Sequence, residues 1–255
     1  MDDELVTYEM DGPVALIGLN RPAKRNALNL ALMADLEAAA ARAAPKARAA
    51  VIFGHGDHFS AGLDLAELFQ RIKDGAPRDP APAFASIAAG AIPFVAALHG
   101  AVIGGGLEIA AACQLRVADA TAFFALPEGQ RGIFVGGGGS VRIPRLIGVA
   151  RMQDMMLTGR TVAAAEAERW GMIQYLTEAG GALAQAKALA AKIAANSPAA
   201  NQAITQGLAR IADLPQDQGL FLEGLVGDAV LARGSDEGLR AFLDKTARPI
   251  ARPGK

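Results

Sequence analysis

The chain has 255 residues, 52% of them hydrophobic and 20% charged, with a net charge of −1 at neutral pH. These figures fit a globular protein with a sizeable core and exclude a general affinity for nucleic acid or an anionic membrane surface. The one cysteine, Cys113, excludes an internal disulfide and a cysteine-built metal site, and makes a reducing, cytoplasmic compartment the expectation.

In chain order, the acidic start Met1-Asp-Asp-Glu4 has the character of neither a signal peptide nor an Arg-rich transit peptide. Val14 to Leu19 is an apolar run closed by Asn20-Arg-Pro22, the pattern of a buried strand. Asn29 can cap a helix reaching about Ala43, with Leu32, Leu36 and Ala39/Ala40 on one face. Ala50 to Phe53 reads as the next strand and ends in a Gly-rich turn. Pro93 to Leu98 is another, and the glycines after it open a helix from about Gly106. Leu115–Ala118 and Ala122–Ala125 are short strands. Apolar strands alternating with helices predict a parallel sheet covered by helices. The stretch from Phe94 to Cys113 is long enough to raise a membrane span, but Pro93 at its edge and His99 and Glu108 inside it exclude one.

After about Gly136 the pattern turns helical: 149–157, 163–170, 181–195, 199–211, 217–232 and 235–245, with one strand at 173–176. The turn signal Asn196-Ser-Pro198 divides an α/β core of residues 1–196 from a helical region, 197–255. No 20–50-residue repeat is visible.

Glu108 is the only charged side chain between Gly100 and Cys113. A carboxylate in such company is costly to desolvate unless it is paired or its pKa moves. Gly104, Gly105 and Gly106 precede it and admit a close approach by backbone or ligand. Exposed amides beside such a carboxylate point to acid–base chemistry on a carbonyl compound.

Four segments carry this further: Asn20-Arg-Pro-Ala-Lys-Arg-Asn-Ala-Leu28, Phe59-Ser-Ala-Gly-Leu-Asp-Leu65, Gly100-Ala-Val-Ile-Gly-Gly-Gly-Leu-Glu-Ile-Ala110, and Leu126-Pro-Glu-Gly-Gln-Arg-Gly132 with Gly136-Gly-Gly-Gly-Ser-Val-Arg-Ile-Pro-Arg145. In this order and spacing the chain resembles the crotonase superfamily, the enoyl-CoA hydratase/isomerase proteins, over nearly its whole length. The resemblance implies an α/β fold, a crotonase spiral of ββα units with a helical C-terminal region that builds a trimer or hexamer. It implies an acyl-CoA or enoyl-CoA thioester as substrate, no cofactor beyond that CoA, no metal, and no nucleic-acid or membrane partner. By motif position the thioester oxyanion would be held by the amides of Leu63 and Gly105. Glu108 and Glu128 match the two catalytic glutamates of the hydratases, with Glu128 the donor at C2 and Glu108 the activator of water. Lys24 and Arg25 would meet CoA phosphates, the backbone of Ala61, Asp64 and Leu65 the adenine, and Lys245 the CoA from the C-terminal region.

Both glutamates together favour a hydratase. Isomerases of this superfamily mostly keep a single carboxylate, at the Glu128 position, and dienoyl isomerases carry an aspartate where this chain has Gly136. An isomerase acting on 3-enoyl-CoA and a non-catalytic acyl-CoA-binding protein stand as the alternatives. Leu63, in place of the small residue frequent in hydratases, and Val135, in place of a common proline, leave the acyl-chain preference open.

Plainer roles are available for several of these residues. Glu108 would be a buried residue paired with Arg116 or Arg142, and Glu128 would simply open a helix after Pro127. Gly136–Gly139 would be either a loop or a tight turn feeding a helix at Ser140. Asp64 would cap the helix that follows it, and His55, His58 and His99 would be loop and core residues rather than metal ligands.

Overall fold

The computed structural model describes residues 4–76, 82–233 and 236–246. The chain divides into two compact units, Met1–Ala194 and Ala195–Lys255. In chain order the first unit contains β1 (Val6–Asp11), β2 (Val14–Leu19), α1 (Leu30–Ala43), β3 (Ala49–Gly54), α2 (Leu65–Lys73), α3 (Pro82–Ala89), β4 (Phe94–Leu98), β5 (Ala101–Ile103), α4 (Gly105–Ala112), β6 (Leu115–Asp119) and β7 (Phe123–Ala125). It continues through α5 (Gly139–Ile147), α6 (Val149–Thr158), β8 (Thr161–Ala163), α7 (Ala164–Trp170), β9 (Tyr175–Thr177) and α8 (Ala182–Ala194).

The main sheet has six strands in the order β1-β2-β3-β4-β6-β9, parallel throughout except for the antiparallel β1–β2 hairpin. Alternate residues of its strands point into two different cores. Ala15, Ile17 and Leu19 of β2, Ala50 and Ile52 of β3, and Ala96 and Leu98 of β4 face α1, α3 and α4. Val14, Leu16, Val51, Val95 and Val117 face Ala186, Leu189 and Ala190 of α8. Burial on both faces is why β2 and β4 read as unbroken apolar runs rather than as alternating ones. Alanines on α8 let that helix lie close against the sheet.

A second sheet of three strands, β5-β7-β8, positions the site. After β4 and again after β6 the chain leaves the main sheet, adds a short strand to the second, and enters a helix. The two passages, β4-β5-α4 and β6-β7-α5, are successive ββα units, and β5 pairs with β7 in parallel.

Several elements differ from expectation. β1 was not foreseen: it is half exposed and ends on Glu9, Met10 and Asp11, so no apolar run marks it. β5 and β8 are three residues each, too short to show a period. α3 is largely apolar and was not anticipated. The predicted strand 173–176 forms at Tyr175–Thr177, because Ile173 is used in the core. The Gly136–Gly139 run does lead into a helix, which starts at Gly139.

The second unit is helical. Pro198–Gln202, a five-residue π-helical turn at Ala203–Gly207 and Leu208–Ile211 follow without a break, then come Gln216–Ala232 and Asp236–Leu243. Ser235 of the predicted last helix lies outside the described residues. Leu220, Phe221, Leu225, Phe242 and Leu243 are exposed on this unit. No helix among the described residues is long and apolar enough to cross a membrane.

Candidate active site

Two turns meet beside β5. In the first, Ser60 bridges Val102: its N–H donates to Ala101 O (2.9 Å), and its carbonyl accepts from Ile103 N (3.0 Å). Three residues on, Leu63 bridges Leu28, but the bonds of that bridge run from Leu28 N to Gly62 O (2.8 Å) and from Asp64 N to Leu28 O (2.9 Å). In a parallel bridge of this kind the central residue's own N–H faces the other way. The amide of Leu63 has no hydrogen-bond partner among the described residues. The second turn is Gly104-Gly105, at the start of α4. Gly105 is the first residue of that helix, so its N–H has no carbonyl one turn back to donate to.

Gly62 holds the two turns together. A Cβ at Gly62 would stand 2.7 Å from Ile103 O and 3.4 Å from Gly105 N. Asn26, fully buried, fixes the first turn from behind. Its Oδ1 accepts from Arg21 N, its Nδ2 donates to His55 O and His58 O, and its carbonyl accepts from the Ser60 hydroxyl, all within 2.7–2.9 Å. Every polar atom of that side chain is engaged, as burial demands.

Glu108 sits in the first turn of α4, 2% exposed. It forms no arginine ion pair among the described residues. Its Oε1 accepts from Gly137 N (2.7 Å) and Gly139 N (2.9 Å), both in the tetraglycine run that leads into α5. A Cβ on Gly139 would lie 2.8 Å from that oxygen, so only glycine brings the amide this near. An oxygen that accepts two amide hydrogens is not the one carrying a proton. Arg116, one of the two partners weighed from sequence, instead donates to Cys113 O, Ala110 O and Met172 O, closing the C-terminal end of α4.

Glu128 follows β7 and is 5% exposed. Its Oε2 is buried with no hydrogen-bond partner among the described residues. Burial raises its pKa from the ordinary carboxylate value; a backbone hydrogen bond opposes the shift, the charge of Glu108 adds to it, and Arg131 opposes it least.

The two glutamates line one cavity of about 20 Å³, together with Gly62, Leu63, Gly104 and Gly105 among others. That is room for a single water molecule. Beside it lies a second cavity of about 400 Å³, lined largely by apolar side chains that include Leu28, Met33, Leu63, Phe84 and Phe134. Leu63, Glu108, Ile133 and Phe134 border both. An acidic pair, unengaged amides and an adjoining apolar chamber together make a site for a carbonyl compound with a hydrocarbon arm.

Residues 9–250 match the family model described as enoyl-CoA hydratase/isomerase. The chain belongs to the enoyl-CoA hydratase/isomerase family. Its fold is that of the crotonase superfamily. A solved structure from Rhodopseudomonas palustris, described provisionally as an enoyl-CoA hydratase, is 48% identical, superposes with a TM-score of 0.88, and covers 96% of each chain. A protein from Mycobacterium bovis described as a probable enoyl-CoA hydratase is 36% identical over 251 residues, 97% of this chain and 98% of that one. The 2,3-dehydroadipyl-CoA hydratase of Escherichia coli is 36% identical over 237 residues, 91% of this chain and 92% of that one.

Of the residues that the family resemblance singled out, Leu63, Gly105, Glu108 and Glu128 come together around the small cavity. Lys24 and Arg25 are exposed, and Arg25 lies beside Ala61, whose N–H donates to Arg25 O (2.9 Å). That bond leaves the Ala61 carbonyl, not its amide, for a ligand. Asp64 caps α2 and pairs with Arg21 at 2.7 Å, and the Arg21 guanidinium holds its carboxyl below the usual range. Leu65 begins α2, partly exposed. Lys245 belongs to the C-terminal unit. The histidines have other work: His55 bonds Thr7, His99 bonds Gly56 O, and His58 Nδ1 accepts from Ala101 N. No cluster of three or more metal-binding side chains occurs among the described residues.

Three contributors went unnamed in the sequence: Asn26 and the amides of Gly137 and Gly139. Each lay inside a quoted motif. The tetraglycine announced a close approach, but nothing local told which atom would approach.

Proposed function

We propose that the protein is an enoyl-CoA hydratase, adding water across the C2=C3 bond of trans-2-enoyl-CoA thioesters. The observation that carries this reading is the unequal environment of two buried carboxylates lining one water-sized cavity. Glu128 has an unpartnered oxygen and a raised pKa, the condition of a proton donor. Glu108 presents a carboxylate held by two amides, the condition of a base.

In the reaction the thioester oxygen sits between the N–H groups of Leu63 and Gly105. These donors are fixed by the backbone before substrate arrives, so they favour the enolate-like transition state without reorganising. The hydroxyl of water goes to C3 and its remaining proton to Glu108. Glu128 delivers its proton to C2. Passing one proton back from Glu108 to Glu128 restores the starting state. The reaction draws on no cofactor beyond the CoA of the substrate. Lys24 and Arg25 meet the CoA phosphates, the backbone at Ala61, Asp64 and Leu65 meets the adenine, and Lys245 makes a further CoA contact. The protein works as a homotrimer or hexamer joined through its helical unit, whose exposed leucines and phenylalanines call for cover. Light scattering that finds only single chains at micromolar concentration rules that association out.

Incubation with crotonyl-CoA tests the reading: the conjugated thioester absorbance falls as water adds. No loss with any enoyl-CoA length, alongside movement of the double bond in a 3-enoyl-CoA, gives the site to an isomerase instead. Leu63 borders both cavities with its side chain, so Leu63→Ala widens the junction while keeping the amide. The expected result is a shift of kcat/KM towards longer or branched enoyl-CoAs by about 10-fold, the size of one or two methylenes' worth of fit. An unchanged chain-length profile removes Leu63 from substrate selection.

A further inference from the structure

The turn that supplies amides to Glu108 has its own brace. The two donating N–H groups belong to the peptide units before Gly137 and before Gly139. Between them lies the unit that carries the Gly137 carbonyl, and Arg142 Nη2 donates to that carbonyl oxygen. Arg142 is on α5, one turn into the helix that the glycines feed. Its guanidinium fills the place where a Cβ on Gly138 would be, 2.5 Å from Nη1. On the other side of the turn, a Cβ on Gly137 would run into the ring of Phe84. The glycines are therefore gripped between an aromatic ring and a cation.

Four consecutive glycines have more backbone freedom to lose than any other tetrapeptide, so the turn will not hold one conformation by itself. The Nε of Arg142 is buried and has no hydrogen-bond partner among the described residues, so the guanidinium has given up hydration to reach this position. Burial lowers its pKa and the neighbouring Glu108 charge opposes that shift, which sets the cation and the carboxylate within electrostatic reach. An arginine stays charged under such conditions.

We propose that Arg142 is a positioning residue: by clamping the peptide between the two amide donors, it fixes the glycine turn that aims Glu108 at the water. The inference rests on the hydratase reading above and adds to it a residue that touches neither water nor substrate. It acts on the chemical step through Glu108, not on thioester binding.

The test is a double-mutant cycle with crotonyl-CoA, using Arg142→Met, Arg142→Lys, Glu108→Gln and the Arg142→Met/Glu108→Gln pair. Arg142→Met is expected to lower kcat about 100-fold, the size of effect that a small misplacement of a catalytic group produces, with KM changed less than threefold. Arg142→Lys keeps a cation and a donor and recovers most of that loss. In the Glu108→Gln background, Arg142→Met costs little more, because the group it positions is already gone. If Arg142→Met costs the same factor in both backgrounds, or if its effect lies in KM, the arginine is only a structural brace and the inference fails while the hydratase reading stands. A Glu108→Gln enzyme of near-normal rate ends both. Should Arg142→Met not fold, Arg142→Gln, too short to reach the Gly137 carbonyl and without the charge, is measured in the two Glu108 backgrounds and gives the same comparison.

Discussion

Glu108→Gln and Glu128→Gln should each slow hydration of crotonyl-CoA by about 10²–10⁴-fold, the span that general acid–base groups contribute, while affinity for CoA survives. Each substitution keeps the shape of the side chain and removes a different half of the proton transfer. Gln at 108 still accepts from Gly137 and Gly139 through its carbonyl oxygen but cannot take water's proton. Gln at 128 has no acidic proton to hand to C2. The two variants should part company in stability. The pKa of Glu128 is raised in the fold, chiefly by burial and further by Glu108. Below the ordinary carboxylate pKa it is neutral in both folded and unfolded chains, and its contribution to stability is fully present. As pH climbs from there through the raised value, the unfolded chain ionises first and that contribution is lost. Glu128→Gln has nothing to ionise. Its Tm relative to the parent protein should therefore rise as pH goes from about 4 to about 8. A flat difference across that range would mean that Glu128 ionises as readily in the fold as outside it. It would then be no proton donor.

The chemistry of the site was more legible than its support, and the reason is local against long-range information. Glu108 stood out because one charge in a long apolar run carries a cost that any fold must answer. The buried strands β2, β3 and β4 were legible because burial on both faces leaves a continuous apolar signature. β1 carries Glu9 and Asp11 on an exposed hairpin edge, and β5 and β8 are shorter than one strand period can reveal. What answers the charge of Glu108 was not legible at all. Arg116 and Arg142 looked equally apt as partners along the chain. The fold sends Arg116 to the carbonyls that end α4, leaves Arg142 on a glycine carbonyl, and satisfies Glu108 with two backbone amides about 30 residues away. Main-chain donors carry no side-chain identity, so a sequence can show only the glycines that let them approach. Asn26 is the converse case. Its place in a left-handed turn is common for asparagine, but the three bonds that tie it to His55, His58 and Ser60 exist only after folding.

Gly62→Ala should cost more activity than stability. The residue has φ +88, where an L side chain is strained, and its Cβ would sit 2.7 Å from the Ile103 carbonyl oxygen. Strain of this kind is typically worth about 1–3 kcal/mol, which a protein of this size can lose and still fold. The methyl group enters between the two turns whose amides converge on the thioester oxygen, one residue before Leu63 and 3.4 Å from Gly105 N. Neither the Ile103 carbonyl nor the methyl can bend aside, so the relief must come from the turns moving apart. Two donors that no longer meet at one point lose the term each supplies, about 10²–10³-fold in kcat per donor. The expected result is a folded enzyme with crotonyl-CoA turnover reduced at least 10²-fold, with both glutamates intact. Gly75→Ala is the matched control: it also has positive φ, but a Cβ there meets nothing within 4 Å, so it incurs backbone strain without crowding. If Gly62→Ala loses no more turnover than Gly75→Ala, the spacing of the Leu63 and Gly105 amides does not govern the rate, and the oxyanion of the proposed reaction must be held elsewhere.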